Sequence, residues 1–279
     1  MIKDLRGTTA IITGASRGLG VTIARALADR GVNLALAARN GDLLEKVRID
    51  VGSAGVRAIA VPTDVTDSAQ LDTLVSRTEA ELGPIDILVN NAGIESIRPF
   101  ERYADDEIAR LIDVNLTAAL VLTRKVLGGM LERRRGHIVQ IASLAGKGGF
   151  AFDAPYAASK AGLIMFTHSL RAELIDSPVD CSVVCPGFVA DEGMYADMVD
   201  ETGEKASMLL GESKPEKVAQ AVVKAITRGS SELIVNPSPM RPVLTIAQMF
   251  PDTAARFLQL FGVTALGKRV ASAHTDRES

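Results

Sequence analysis

TTAIITGASRGLGVTIARALADRG, residues 8–31, decides the fold. TTAIIT (8–13) has the length and apolar content of a buried strand. Gly14-Ala15-Ser16-Arg17-Gly18-Leu19-Gly20 follows, and VTIARALADRG then carries amphipathic helical spacing. Strand, glycine-rich turn and helix make the first half of a βαβ unit. Gly14 permits a tight turn, and Gly18 and Gly20 let backbone and ligand approach closely. The helix amino terminus then offers free N–H groups and a positive dipole end to a pyrophosphate. Glycine turns are common between strands and helices. The position of this one, directly after the first strand, raises its value.

The alternation continues. Strands are predicted at VNLALAA (32–38), VRAIAV (56–61), IDILV, a run opening at Gly136 that contains HIVQIA, DCSVVC (180–185) and SELIV. Helices are predicted over 40–53, from near Asp67 to Leu82, over 104–132, from Pro155 through AGLIMFTHSLRAELI, and over PEKVAQAVVKAITRG. Strands alternating with helices predict an α/β fold on a parallel sheet. With 279 residues, the chain fits one large α/β domain or two small ones. Its 47% hydrophobic and 23% charged residues argue for a globular protein, and a net charge of -3 gives no basic surface for nucleic acid. No apolar run reaches bilayer-spanning length. Cys181 and Cys185 read as buried free thiols, and no secretory leader pattern opens the sequence, so a cytoplasmic location is expected. His137, His168 and His274 lack metal-ligand spacing, and no metal is expected.

The end of the second strand selects the dinucleotide. An acid there would bond the adenosine ribose and repel a 2′-phosphate. The sequence instead reads Ala38-Arg39-Asn40. Arg39 with Arg17 supplies two guanidiniums for a phosphate dianion, which predicts NADP(H). Asp64-Val65 meets either the adenine edge or the following helix as a cap; Asp67 is the stronger cap. Asn91-Ala92-Gly93 at the end of the fourth strand fits close approach to a ligand, or simply a turn. Asn115 lies mid-helix, where it bends the helix, holds a water or is tolerated.

Chemistry is placed between Ser143 and Lys160. Ser143 follows a strand, at the sheet edge where ligands of open parallel sheets bind. Tyr156 and Lys160 are one helical turn apart on one face. An ammonium beside the phenol favours the phenolate and is expected to lower its pKa from about 10, giving an acid or base near neutral pH. Residues 187–213 lack a period and are expected to form a mobile substrate lid.

Thr13-Gly14-x-x-x-Gly18-x-Gly20, Asn90-Asn91-Ala92-Gly93, Asn115, Ser143, Tyr156-x-x-x-Lys160 and Pro186-Gly187 together resemble the short-chain dehydrogenase/reductase family over residues 6–236. The resemblance implies a Rossmann-like doubly wound sheet of seven parallel strands with helices on both faces. It implies that Tyr156 exchanges a proton with the substrate oxygen, that Lys160 lowers the tyrosine pKa and binds the nicotinamide ribose, and that Ser143 bonds the substrate oxygen. Asn115 would position a water linked to Lys160. Ser16, Arg17 and Leu19 would flank the phosphates, Asp64 and Val65 the adenine, and Asn91 and Gly93 the adenosine side. Pro186, Gly187 and Val189 would approach the nicotinamide. The family often places a threonine where this chain has Asp191, which puts that contact in doubt. A homodimer or homotetramer is implied through the long helices.

The tail departs from the family. Thr245, Gln248, Asp252, Arg256 and Gln259 form one polar stripe on an otherwise apolar helix over 243–262, restarted at Pro251. Such a helix covers a hydrophobic substrate or a subunit, or lies on a membrane surface. The expected organisation is a catalytic domain over 1–240, a helical extension over 241–267 and a disordered end over 268–279. The function expected is transfer of a hydride between NADP(H) and an apolar carbonyl or alcohol: a 3-oxoacyl thioester, a long-chain ketone or a steroid-like ketone. The alternative is a catalytically silent NADP-binding sensor or scaffold.

Overall fold

A computed structural model describes residues 1–191, 193–206, 211–250 and 263–278. Seven parallel strands form one sheet in the order β3-β2-β1-β4-β5-β6-β7. They are β1 (Thr9–Thr13), β2 (Asn33–Ala38), β3 (Ala58–Pro62), β4 (Ile87–Asn90), β5 (Gly136–Ile141), β6 (Val179–Pro186) and β7 (Glu232–Val235). The order reverses beside β1, where β1 pairs with both β2 and β4. Connections leave this seam in opposite directions and open a crevice at the strand carboxyl ends.

Successive β1 side chains point to opposite faces. Ile12 packs with Ile23 and Leu27 of α1 (Leu19–Ala28) and with Val222 and Ile226 of a late helix, Pro215–Arg228. Ile11 packs on the other face with Leu71 and Leu74 of α3 (Ser68–Leu82) and with Leu122 and Val126 of a helix at Ala118–Glu132. Both isoleucines are fully buried, each worth about 1.5–3 kcal/mol relative to exposure. Two-sided burial explains why these strands read as continuous apolar runs rather than alternating ones. The remaining early helix, α2 (Gly41–Gly52), is capped by Asn40, and α3 by Asp67.

The predicted helix over 104–132 is divided. α4 (Asp105–Ile112) passes through a π turn, Asp113–Thr117, into α5 (Ala118–Glu132). By length and composition this 28-residue stretch could cross a bilayer, its most apolar 18-residue window having a mean hydropathy of 1.3. Their buried residues, among them Leu111, Leu122 and Val126, pack inside the protein, as in a core helix. After β5 come the short α6 (Ala145–Gly148) and the long α7 (Ala154–Glu173). Cys181 and Cys185 are buried in β6 as free thiols.

The expected lid contains a defined helix, α8 (Met194–Thr202), closed by Gly203 in the left-handed conformation. Charged residues around Met194 and Met198 hide their i, i+4 spacing. α9 (Pro215–Arg228) precedes β7, and α10 (Met240–Met249) begins the tail. Leu244 of α10 is buried while Ile246 and Met249 are exposed. Asp252, Arg256 and Gln259 of the predicted stripe lie outside the described residues. α11 runs from Val263 to Glu278, across most of the segment 268–279 for which disorder is expected. Leu266, Val270 and Ala271 on its inner face pack with Ile97 and Met198, and Arg269 pairs with Glu204 at 2.5 Å. Burial of that face holds a segment whose terminal position alone argues for disorder.

Candidate active site

The loops after β1 to β6 enclose a cleft of about 860 Å3 at the carboxyl edge of the sheet. Every predicted contact residue lines it except Gly20 and Asn115, which lie buried behind it.

Gly14 takes a φ of 66°, and a Cβ there would meet the Ala92 Cα at 2.9 Å. The β1 loop is thus pressed against the β4 loop. Asn91 fastens them: its side-chain amide donates to Thr13 O at 3.0 Å and to Gly14 O at 3.3 Å. The Thr13 hydroxyl accepts from the amides of Asn91 and Ala92, both at 3.0 Å. Gly20 packs against loop backbone, not toward the cleft; its Cβ would lie 2.1 Å from Gly14 O. No side chain caps α1, leaving its leading N–H groups for a ligand.

Arg39 and Asn40 border the cleft beyond β2. The Asn40 side-chain Oδ1 accepts from Leu43 N at 3.0 Å as the α2 cap. Arg17 reaches Asp197 of α8 at 2.8 Å. Both side chains are largely exposed, so this pair contributes little stability and leaves the guanidinium available to a stronger anion. Asp64 does not cap α3; its carboxylate accepts from the amide and hydroxyl of Thr66. Asp191 stands in solvent with a φ of 67°.

The reactive groups meet where β5 hands over to α7. Ser143 Oγ accepts from Ala145 N at 3.1 Å and faces the Tyr156 phenol. Lys160 Nζ donates to Ile141 O at 3.0 Å and lies 5.6 Å from the Tyr156 ring centre. Both side chains are buried. The π turn gives Asn115 its reason. Its Oδ1 accepts from Ile94 N at 2.8 Å, and its amide donates to Ile94 O at 2.8 Å and to Ser159 Oγ at 3.2 Å. The widened turn brings this amide between the β4 loop and α7, a local distortion of the kind π bulges supply at functional sites.

The expected lowering of the Tyr156 pKa is corrected. Burial raises it well above the ordinary value, and the carboxylates of Glu95 and Asp153 add to this, against a hydrogen bond from Ser143. Lys160 is itself brought down to about 8, first by burial, so its charge is weakened where the phenolate would need it. The phenol is held as an acid.

Glu95 and Asp153 are the groups that sequence reasoning missed. Asp153 stands where a helix cap belongs, directly before Ala154-Pro155, and that position was the only signal. It makes no capping bond. The upper wall is apolar and includes Phe150, Phe188, Met194, Met198 and Leu244.

Residues 8–203 match the family model described as short chain dehydrogenase. The chain belongs to the short-chain dehydrogenase family. Among its relatives within this family is the ketoacyl reductase HetN of Nostoc sp., 46% identical over 275 residues, 97% of this chain and 94% of that protein. The 3-oxoacyl-[acyl-carrier-protein] reductase FabG of Escherichia coli is 37% identical over 67% of this chain and 75% of its own length. A solved structure of a phenylalanine-to-tryptophan variant of actinorhodin polyketide ketoreductase with NADPH superposes with a TM-score of 0.77. It is 32% identical, over 84% of this chain and 97% of that one. That likeness fits the seven-stranded Rossmann-like sheet of this short-chain dehydrogenase.

Proposed function

We propose that this protein is an NADPH-dependent reductase of apolar ketones. One observation carries the reading: a buried phenol kept protonated beside Ser143 and Lys160, in a cleft that also holds the glycine turn, Arg17 and Arg39. NADPH, when bound, supplies the hydride. The residues present fit that cofactor. The uncapped start of α1 would take the pyrophosphate, Arg17 and Arg39 the 2′-phosphate, Asp64 and Val65 the adenine, and Pro186, Gly187 and Val189 the nicotinamide side. Lys160 would hold the nicotinamide ribose. Ser143 would orient the substrate carbonyl oxygen, and Tyr156 would give it a proton. Asn115 fixes the loop and helix that frame these groups. A protonated tyrosine supports reduction as the favoured direction near neutral pH.

The apolar wall and the ketoacyl reductase relatives support a 3-oxoacyl thioester or another long-chain ketone as substrate. A homo-oligomer through α4, α5 and α7 is part of this reading. A screen of such ketones with NADPH tests it: turnover is expected, whereas tight NADPH binding with no turnover on any ketone would favour a silent sensor.

Two further outcomes follow from the charges. Arg39→Ala should reduce the preference for NADPH over NADH, read as the ratio of kcat/KM values, by about tenfold to a hundredfold. An unchanged ratio would remove Arg39 from phosphate recognition. Lys160 is protonated below about pH 8 and neutral above it. The kcat/KM for ketone reduction should therefore fall as pH rises through about 8, and that limb should be missing in Lys160→Met.

A further inference from the structure

α11 presents one buried stripe: Leu266, Gly267, Val270 and Ala271 are covered, while Lys268, Arg269 and Ser272 are exposed. Gly267 stands inside the helix, where glycine costs stability relative to alanine. Close approach explains it. A Cβ there would meet Ala151 O at 2.5 Å and the Phe152 ring at 3.2 Å. The helix is thus seated on the backbone of the loop that leads into α7. Its other contacts reach the substrate side. Leu266, Val270 and Ala271 form one buried cluster with Ile97 of the β4 loop and Met198 of α8, and Phe150, Phe188 and Tyr195 pack against it. Ile97, Met198, Phe150, Phe188 and Tyr195 also line the cleft that contains Tyr156. This part of the wall therefore has two sides, one on the cleft and the other on α11. Arg269, paired with Glu204, ties the segment after α8 to the same helix.

We propose that α11 sets the depth of the apolar cleft, and that Leu266 and Val270, acting through Met198 and Ile97, determine how long an alkyl chain the substrate carries. The inference rests on the ketone-reductase reading and deepens it. Neither Leu266 nor Val270 lines the cleft, so both are specificity residues that act through others. Met198 is the means. Its unbranched side chain fills irregular gaps readily. Leu266 and Val270 occupy the space into which it would otherwise withdraw, and so hold it in the wall. Ile97 is β-branched and stiffer. Interiors are close-packed, so a change of size in the layer behind a wall is felt at its surface. A chain one methylene too long must press Met198 against a helix that already rests on backbone at Gly267. Apolar pockets separate substrates differing by one methylene by about tenfold or more.

The test measures kcat/KM with NADPH for 3-oxoacyl N-acetylcysteamine thioesters with chains of about four to about fourteen carbons, a series that resolves single methylenes. Wild type, Leu266→Ala and Val270→Ala are compared. The wild-type profile should rise with chain length and then fall. In Leu266→Ala, Met198 withdraws into the vacated space, and the preferred length should increase by about one or two carbons. The kcat/KM ratio of that longer thioester to the wild-type optimum should rise about tenfold. Val270→Ala should move the profile the same way by less. Profiles lowered equally at every length, or left unchanged, in both variants overturn the inference, because a helix that only stabilises the fold has no effect on length preference. A wild-type profile without a fall at long chains overturns it as well. If Leu266→Ala does not fold, Val270→Ala decides alone. If wild type binds NADPH but reduces no thioester of the series and no long-chain ketone, the reductase reading falls and the depth role with it. Normal turnover with an unmoved profile removes only the depth role.

Discussion

Tyr156→Phe should lower kcat for ketone reduction by about a hundredfold to ten-thousandfold, the range that a positioned general acid supplies. The variant keeps the ring and removes one oxygen. The ring is a buried side chain of α7, so its packing survives. The lost hydrogen bond with Ser143 costs stability only about 0.5–1.5 kcal/mol. NADPH affinity, set mainly by the α1 turn and the arginines, should stay within about threefold. The comparison is therefore between equally folded, equally cofactor-competent enzymes. Rate loss with intact NADPH binding assigns the proton to Tyr156. A variant retaining most of its rate would show that another group delivers it.

Gly20→Ala should produce a loss of a different kind. The added carbon would sit 2.1 Å from Gly14 O, 2.8 Å from Gly14 C and 2.9 Å from Ala15 Cα. All three atoms are backbone, and Asn91 holds that backbone from the other side. The turn cannot yield without separating α1 from β1. Overpacking of this kind costs about 1–3 kcal/mol or more of stability, and it displaces the N–H groups expected to hold the pyrophosphate. NADPH Kd should weaken by about a hundredfold, measured by fluorescence titration. Gly128→Ala is the control. Gly128 lies exposed inside α5, with nothing within 4 Å of the added carbon. Its replacement should leave NADPH binding alone and stabilise by up to about 1 kcal/mol. Equal NADPH affinity in both variants would refute the packing role of Gly20.

The fold was legible because its signals are local. The apolar run before Gly14, the amphipathic helix after Gly20 and the repeated alternation require only neighbours in sequence. The Tyr156 and Lys160 spacing was legible for the same reason. The acid's electrostatics were not. The phenol's state depends on burial and on Glu95, which arrives from a loop about sixty residues earlier. The reading from spacing gave Lys160 a full charge in water-like surroundings; burial weakens that charge. Asn115 was conspicuous mid-helix, but its π turn and its bonds to Ile94 and Ser159 are tertiary facts. The tail failed in the opposite direction. Position at the chain terminus argued for disorder, while Leu266 and Val270 pack with Met198 of α8.

Hydride transfer itself can be followed with NADPH carrying deuterium in place of the transferred hydrogen. A single turnover on a 3-oxoacyl thioester or a long-chain ketone, analysed by mass spectrometry, should give an alcohol with one deuterium on the former carbonyl carbon for each NADPH consumed. NADPH that binds but is never oxidised, or an alcohol without the label, would contradict the account.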